Sequence, residues 1–110
     1  MRLTPALRIN GEIIKGSSTD SHNTLGQSIG IRKPVENSRG FTPDGKLFLN
    51  RRQALGWLKQ HDIKIFRKLP GAAHYDGLHS EHLAKAYGIT QKPEAVEIRK
   101  AAMGDTKETP

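Results

Sequence analysis

The chain has 110 residues, with 18 Lys and Arg against 11 Asp and Glu and no cysteine. That length holds one domain at most, and the lack of cysteine excludes a disulfide scaffold and a thiolate zinc site. No stretch reaches the ~20 apolar residues of a membrane span, no signal-peptide pattern is present, and a net charge of +7 points to an anionic partner. Hydrophobic residues make up 35% of the chain and aromatics 5%. So lean a composition implies a small core, short helices and subunit association.

Residues 1–16 read as a β-hairpin. Ala6, Leu7, Arg8 and Ile9 lie before Asn10-Gly11, and Glu12, Ile13, Ile14 and Lys15 after it. An Asn-Gly pair suits the type I′ turn, which needs positive φ at both central positions. A two-stranded hairpin is marginal alone, so another unit is expected to pair with it or pack on it.

Residues 16–30 are rich in hydroxyls and amides up to Asn23, after which Leu25 and Ile29 recur four apart. The pattern predicts a short helix over 21–29, capped by Thr19, Asp20 or Ser21 and stopped by Gly30. A strand followed by Gly16-Ser17-Ser18 and a helix start is also a candidate phosphate cradle, although no Walker sequence is present. Residues 31–39 read as a polar connector.

The central unit spans 40–63. Pro43-Asp44-Gly45 is a turn signal, and Leu47, Phe48 and Leu49 suit a short strand. Asn50 with Gln53 matches a capping box, and Ala54, Leu55, Trp57, Leu58 and His61 follow at helical spacing. This unit holds the single tryptophan and two of the three phenylalanines, so the core is expected around it. Its helix carries Arg51, Arg52 and Lys59, with Lys64, Arg67 and Lys68 beyond; such a basic face either meets phosphates or is simply solvated.

Residues 69–77 read as a loop between Pro70-Gly71 and Asp76-Gly77. A short helix then opens at Ser80, taken as its N-cap, with Glu81 in the first turn and Gly88 at the end. His79, Glu81 and His82 lie close in sequence, but i, i+2 and i+3 do not share a helix face, and no metal site is expected from them. A last helix is expected over 93–103, opened by Pro93, and a flexible tail over 105–110.

The order of these blocks resembles a group of small phage and prophage proteins. The residues that carry the resemblance are Gly16, His22, Gly40-Phe41-Thr42, the stretch from Asp44 to Arg51, Ala54, and Leu78-His79-Ser80-Glu81 with Leu83. In that group a Gly-Phe, Gly-Arg-Phe, Arg-Glu-Glu-Ala block precedes a Leu-(Phe/His)-Ser-Glu-Asp-Leu block. The group includes Thoeris anti-defence sponge proteins. The resemblance covers residues 6–83. Lys46 stands where Arg is usual, Gln53 where an acid is usual and His82 where Asp is usual.

The resemblance implies a non-catalytic protein of the host cytoplasm that sequesters cyclic ADP-ribose isomers, and in some members cyclic oligonucleotides of the CBASS system. It also implies homo-oligomers with ligand sites between subunits. On this reading Lys46, Arg51 and Arg52 meet a pyrophosphate. Phe41, Phe48 or Tyr75 stacks a base, and Asn23, Asn50 and Ser80 read hydroxyls or base edges. His22, His79 and Glu81 complete the expected ligand-binding set, with no catalytic residue, metal or cofactor. The expected fold is a single α+β domain over 1–104, a small antiparallel sheet of an N-terminal and a central hairpin with two to four short helices. Two rival readings are a basic binder of nucleic acid or nucleoprotein, such as an anti-CRISPR, and a small nucleotide-cleaving enzyme using His79 and Glu81.

Overall fold

The computed structural model describes residues 2–93. The chain forms an α+β fold in the order β1 (Thr4–Ile9), β2 (Glu12–Lys15), α1 (His22–Ser28), a 3₁₀ turn (Glu36–Ser38), β3 (Arg39–Thr42), α2 (Arg51–His61), α3 (Ile63–Lys68), α4 (Gly71–Asp76) and α5 (Ser80–Tyr87). The three strands make one antiparallel sheet in the order β2-β1-β3.

The hairpin forms as its turn residues dictate. Asn10 has φ 51° and Gly11 φ 81°, and Ile9 stands opposite Glu12. β3 pairs along the other edge of β1, with Thr4 opposite Thr42 and Leu7 opposite Arg39. This is the pairing of the central unit with the hairpin that an isolated two-stranded ribbon requires. The expected second strand of a central hairpin is reduced to one bridge. Phe41 and Leu49 exchange two backbone hydrogen bonds of 2.8 Å, and Leu47 and Phe48 are not in a strand. The Asp44 carboxylate explains the shortening: it accepts the backbone N–H groups of Lys46 and Leu47, which diverts the donors a ladder would use.

The core is a cluster built from Leu3 and Phe41 of the sheet side, Leu49, Ala54 and Leu58 around α2, and Leu69, Ala73, Leu78, Leu83 and Ala86 from the later helices. Trp57, expected inside it, is only half-buried at its border and stacks on the exposed His61, with ring centroids 4.8 Å apart. α2 does not run on to residue 63. Asp62 leaves the helical region at φ −150° and ψ 66°, and α3 restarts beyond it. The segment 69–77, expected as a loop, contains α4, because Ala73 and the flanking Leu69 and Leu78 are drawn into the core. Ser80 is the first residue of α5 rather than its cap; His79 takes the cap position and makes no side-chain cap bond.

Two bonds close the fold. The Leu3 N–H donates to the Tyr87 hydroxyl at 3.1 Å, and the Lys92 N–H donates to the Thr19 carbonyl at 2.8 Å. The helix expected to run on from Pro93 and the tail over 105–110 lie outside the described residues. No described helix is long and apolar enough to cross a membrane.

Candidate functional site

Three helix starts and two strands, β1 and β3, converge on a pair of adjoining cavities. The smaller, about 200 Å³, is lined by Ser21, His22 and Asn23 at the start of α1, Arg39 of β3, Arg51 of α2, His79, Ser80 and Glu81 at the start of α5, and Gln91. The larger, about 520 Å³, is lined by Arg8, Glu36, Asn37, Arg39, Phe48, Asn50, Arg51, Arg52 and Asp76. Arg39 and Arg51 belong to both.

α1 enters the site with a complete capping box. The Thr24 N–H donates to Ser21 Oγ at 3.1 Å, and the Ser21 N–H donates to Thr24 Oγ1 at 2.9 Å. His22 is therefore held in the first turn, 2% exposed. Its Nε2 lies 2.7 Å from the Gly40 carbonyl oxygen. A carbonyl only accepts, so Nε2 carries the proton and Nδ1 is the acceptor of the ring. The ring also meets Phe41 edge-on, with centroids 5.0 Å apart. Burial lowers the His22 pKa to about 4, and the charges of Arg51 and Arg39 push the same way; the Gly40 bond and Glu36 oppose them. At neutral pH His22 is a neutral, oriented imidazole.

The two arginines are fixed by backbone carbonyls. Arg39 donates from Nε and Nη2 to the Pro34 carbonyl at 3.0 and 2.9 Å, and from Nη2 to Asn23 Oδ1 at 3.0 Å. Arg51 donates from Nη1 to the Leu78 carbonyl at 2.8 Å, and the Leu78 N–H donates back to the Arg51 carbonyl at 3.1 Å. This clamp needs Gly77: its φ is +92°, and a Cβ there would stand 2.7 Å from Arg51 Cβ. Glu36 lies over the remaining edge of Arg51, accepting from Nε and, at 3.3 Å, from Nη2. The Arg51 hydrogen bond holds the Glu36 carboxyl below its usual range.

His79 sits beside this clamp, half-buried and edge-on to His82 at 5.5 Å. Burial lowers its pKa, as do the charges of Arg51 and His82. His82 Nδ1 is buried with no hydrogen-bond partner among the described residues. No group of three or more His, Asp or Glu side chains among the described residues is arranged to hold a metal ion.

Of the expected site residues, His22, Asn23, Arg51, His79, Ser80 and Glu81 come together in the smaller cavity, and Phe48, Asn50, Arg51 and Arg52 in the larger. Phe41 is not available to a ligand. It is 0% exposed, because its bridge to Leu49 and its contact with His22 place it in the core. Lys46 lines neither cavity; it lies in the Asp44 turn, its N–H donating to Asp44 Oδ1 at 2.8 Å. Asn50 is committed to capping, its Oδ1 accepting the N–H groups of Arg52 and Gln53 at 3.0 and 2.8 Å. The Arg8 guanidinium covers Phe48, 4.7 Å from the ring centroid.

Sequence reading missed Arg8, Arg39, Glu36 and Gln91. Arg39 is placed by the pairing of β3 with β1, and Gln91 by the return of the chain to α1, where its side chain reaches the Asp20 carbonyl at 3.4 Å. Neither leaves a local signal. No protein family, curated protein or solved structure matches the chain.

Proposed function

We propose that the protein captures a small anionic nucleotide of the cyclic signalling class and holds it without cleaving it. One observation carries this reading: the two anchored guanidiniums, Arg39 and Arg51, line both cavities at once. A phosphate held between them would have polar groups on one side, from Asn23, Ser80 and Gln91. On the other side it would have the wider space beside Phe48, Arg8 and Arg52. Guanidinium forks match phosphate oxygens, and the Arg8–Phe48 stack presents a flat cationic surface suited to a base. The net charge of +7 supports an anionic ligand.

The resemblance to Thoeris anti-defence sponges supplies the biological role of such capture, in a bacterial cytoplasm where cyclic ADP-ribose or cyclic oligonucleotide signals are made. It also leads us to propose a homo-oligomer in which a second copy closes the cavities, which light scattering on the purified protein checks. The capture itself is tested by incubating the protein with cyclic ADP-ribose isomers and cyclic di- and trinucleotides, filtering, denaturing with heat and weighing what is released. Recovery of one intact ligand at near-stoichiometric amount is the expected result, and Arg8→Ala and Arg52→Ala should each reduce it. Recovery of nothing, or of a cleaved product, overturns the reading.

A second reading has its own observation. Lys59 on α2 and Lys64, Arg67 and Lys68 on α3 are exposed, and none forms an ion pair among the described residues. Such a ridge fits a nucleic-acid backbone, whose binding weakens steeply with salt. Charge reversal on the ridge would abolish that binding and leave nucleotide capture in the cavities intact.

A further inference from the structure

The two shared arginines are mostly buried, yet the acid that faces them is not. The side chains of Arg39 and Arg51 are 16% and 12% exposed, whereas that of Glu36 is 66% exposed. Both guanidiniums are anchored independently of Glu36, by the carbonyls of Pro34 and Leu78. Glu36 sits on a three-residue 3₁₀ turn that has no side-chain cap bond. Its carboxylate contacts Arg51 through Nε and Nη2 and approaches Arg39 Nε at 3.9 Å; it has no other polar partner among the described residues.

The Nε/Nη2 edge of a guanidinium is the edge that binds a carboxylate or a phosphate with two parallel hydrogen bonds. On Arg51 that edge faces the cavities and holds the carboxylate of the protein itself. On Arg39 the same edge is taken by the Pro34 carbonyl and Asn23 Oδ1, and its Nη1 has no hydrogen-bond partner among the described residues. A fixed cationic fork, covered by an exposed acid with no other polar partner among the described residues, has the form of an anion subsite with a stand-in occupant.

We propose that Arg39 and Arg51 form an oxyanion subsite for a phosphate group, and that the Glu36 carboxylate is its internal occupant, displaced when the ligand enters. The proposal deepens the nucleotide reading and rests on it for the kind of ligand, but not for the subsite. The ligand class follows from the fork: a phosphate or pyrophosphate, doubly charged enough to compete with a tethered carboxylate. While Glu36 occupies Arg51, only the fraction of molecules in which it has swung away can bind, and apparent affinity falls by that fraction. Glu36 would then set the concentration at which the protein begins to take up its ligand.

The test is calorimetric titration with inorganic pyrophosphate at fixed ionic strength. The unmodified protein is compared with Glu36→Gln, Glu36→Ala and the charge-matched control Asp62→Asn. Asp62 lies just past the far end of α2, about 17 Å from Arg51 at 1.5 Å per residue. Both Glu36 variants should bind pyrophosphate about five- to tenfold more tightly, and the control should stay within about twofold of the unmodified protein. Equal or weaker binding by both Glu36 variants overturns the proposal and makes Glu36 a structural brace. Equal tightening by Asp62→Asn overturns it too, by reducing the effect to net charge, and so does failure of every protein to bind pyrophosphate. The cyclic-nucleotide capture assay, run on the same samples, separates the two claims. Nucleotide capture by the unmodified protein, with no tightening of pyrophosphate binding in either Glu36 variant, leaves the capture reading standing and removes the subsite. Tighter pyrophosphate binding with no nucleotide retained keeps the subsite and removes the capture reading.

Discussion

The two halves of the helical layer are built by different means. α1 and α2 each begin with a complete capping box, Ser21 with Thr24 and Asn50 with Gln53. α3, α4 and α5 begin with no side-chain cap bond at all. α3 and α4 have six residues each, too short to persist alone. α3 is held by Ile65 and Phe66 packed against the core, and α4 by Ala73 buried in it between Leu69 and Leu78. The first pair of helices is encoded locally; the later three are held by packing. The site draws on both, since Arg51 begins a locally encoded helix and His79, Ser80 and Glu81 begin a packed one.

If that contrast is right, the packed half should fail first and most severely when a core contact is removed. Leu78→Ala deletes a side chain that is 0% exposed at the α4–α5 junction, and it should cost about 2–5 kcal/mol in denaturant unfolding. Hydrogen exchange should show α4 and α5 losing protection before α1 does. A variant in which α1 opens first would break the comparison.

The locally encoded half has its own weakness, which is acid. His22 titrates near 6.5 in the unfolded chain and near 4 when folded, so the unfolded state takes up the proton first. The stabilisation is complete above pH 6.5 and is lost as the pH falls toward 4, by about 3 kcal/mol in all. Unfolding free energies measured between pH 7 and 4 should show this slope, and His22→Gln should flatten it. An unchanged slope in that variant would place the acid sensitivity elsewhere.

Caps give the smaller effects and sharpen the contrast. Asn50→Ala removes two bonds to the first amides of α2 and should cost about 1 kcal/mol in thermal or denaturant unfolding. Ser80→Ala should change stability by less than about 0.5 kcal/mol, because Ser80 caps nothing. Loss of stability on Ser80→Ala comparable with that of Asn50→Ala would erase the difference between the halves.

The same contrast explains what could be read from the sequence. Asn10-Gly11 and the Asn50–Gln53 pair announce their structures within a few residues, and both form as expected. The α1 cap is narrowed to Thr19, Asp20 or Ser21, and the geometry selects Ser21 while Asp20 turns back to the Ser17 N–H at 2.9 Å. α4 is hidden, because Pro70-Gly71 and Gly77 flank it and its stability lies in distant side chains. Of the site, His22, Asn23 and the His79–Glu81 run are recognisable through short motifs. Arg39 and Glu36 are not, because a connector of mixed charge has no periodicity to interpret. Phe41 and Phe48 are indistinguishable by type, and only the bridge to Leu49 decides that Phe41 turns inward.

The middle position of β1 bears on how the protein is made. β1 is synthesised before both of its neighbours. The hairpin covers one side of it within a few residues, but the other side stays open until Thr42 has emerged from the ribosome. During that interval the nascent chain presents a bare strand edge carrying Ala6 and Leu7, which the finished fold buries completely. The time between the emergence of β1 and that of β3 from the ribosome therefore sets how long this edge is offered to chaperones or to neighbouring nascent chains. Synonymous codons that lengthen this interval would lower the soluble yield without altering one atom of the folded protein.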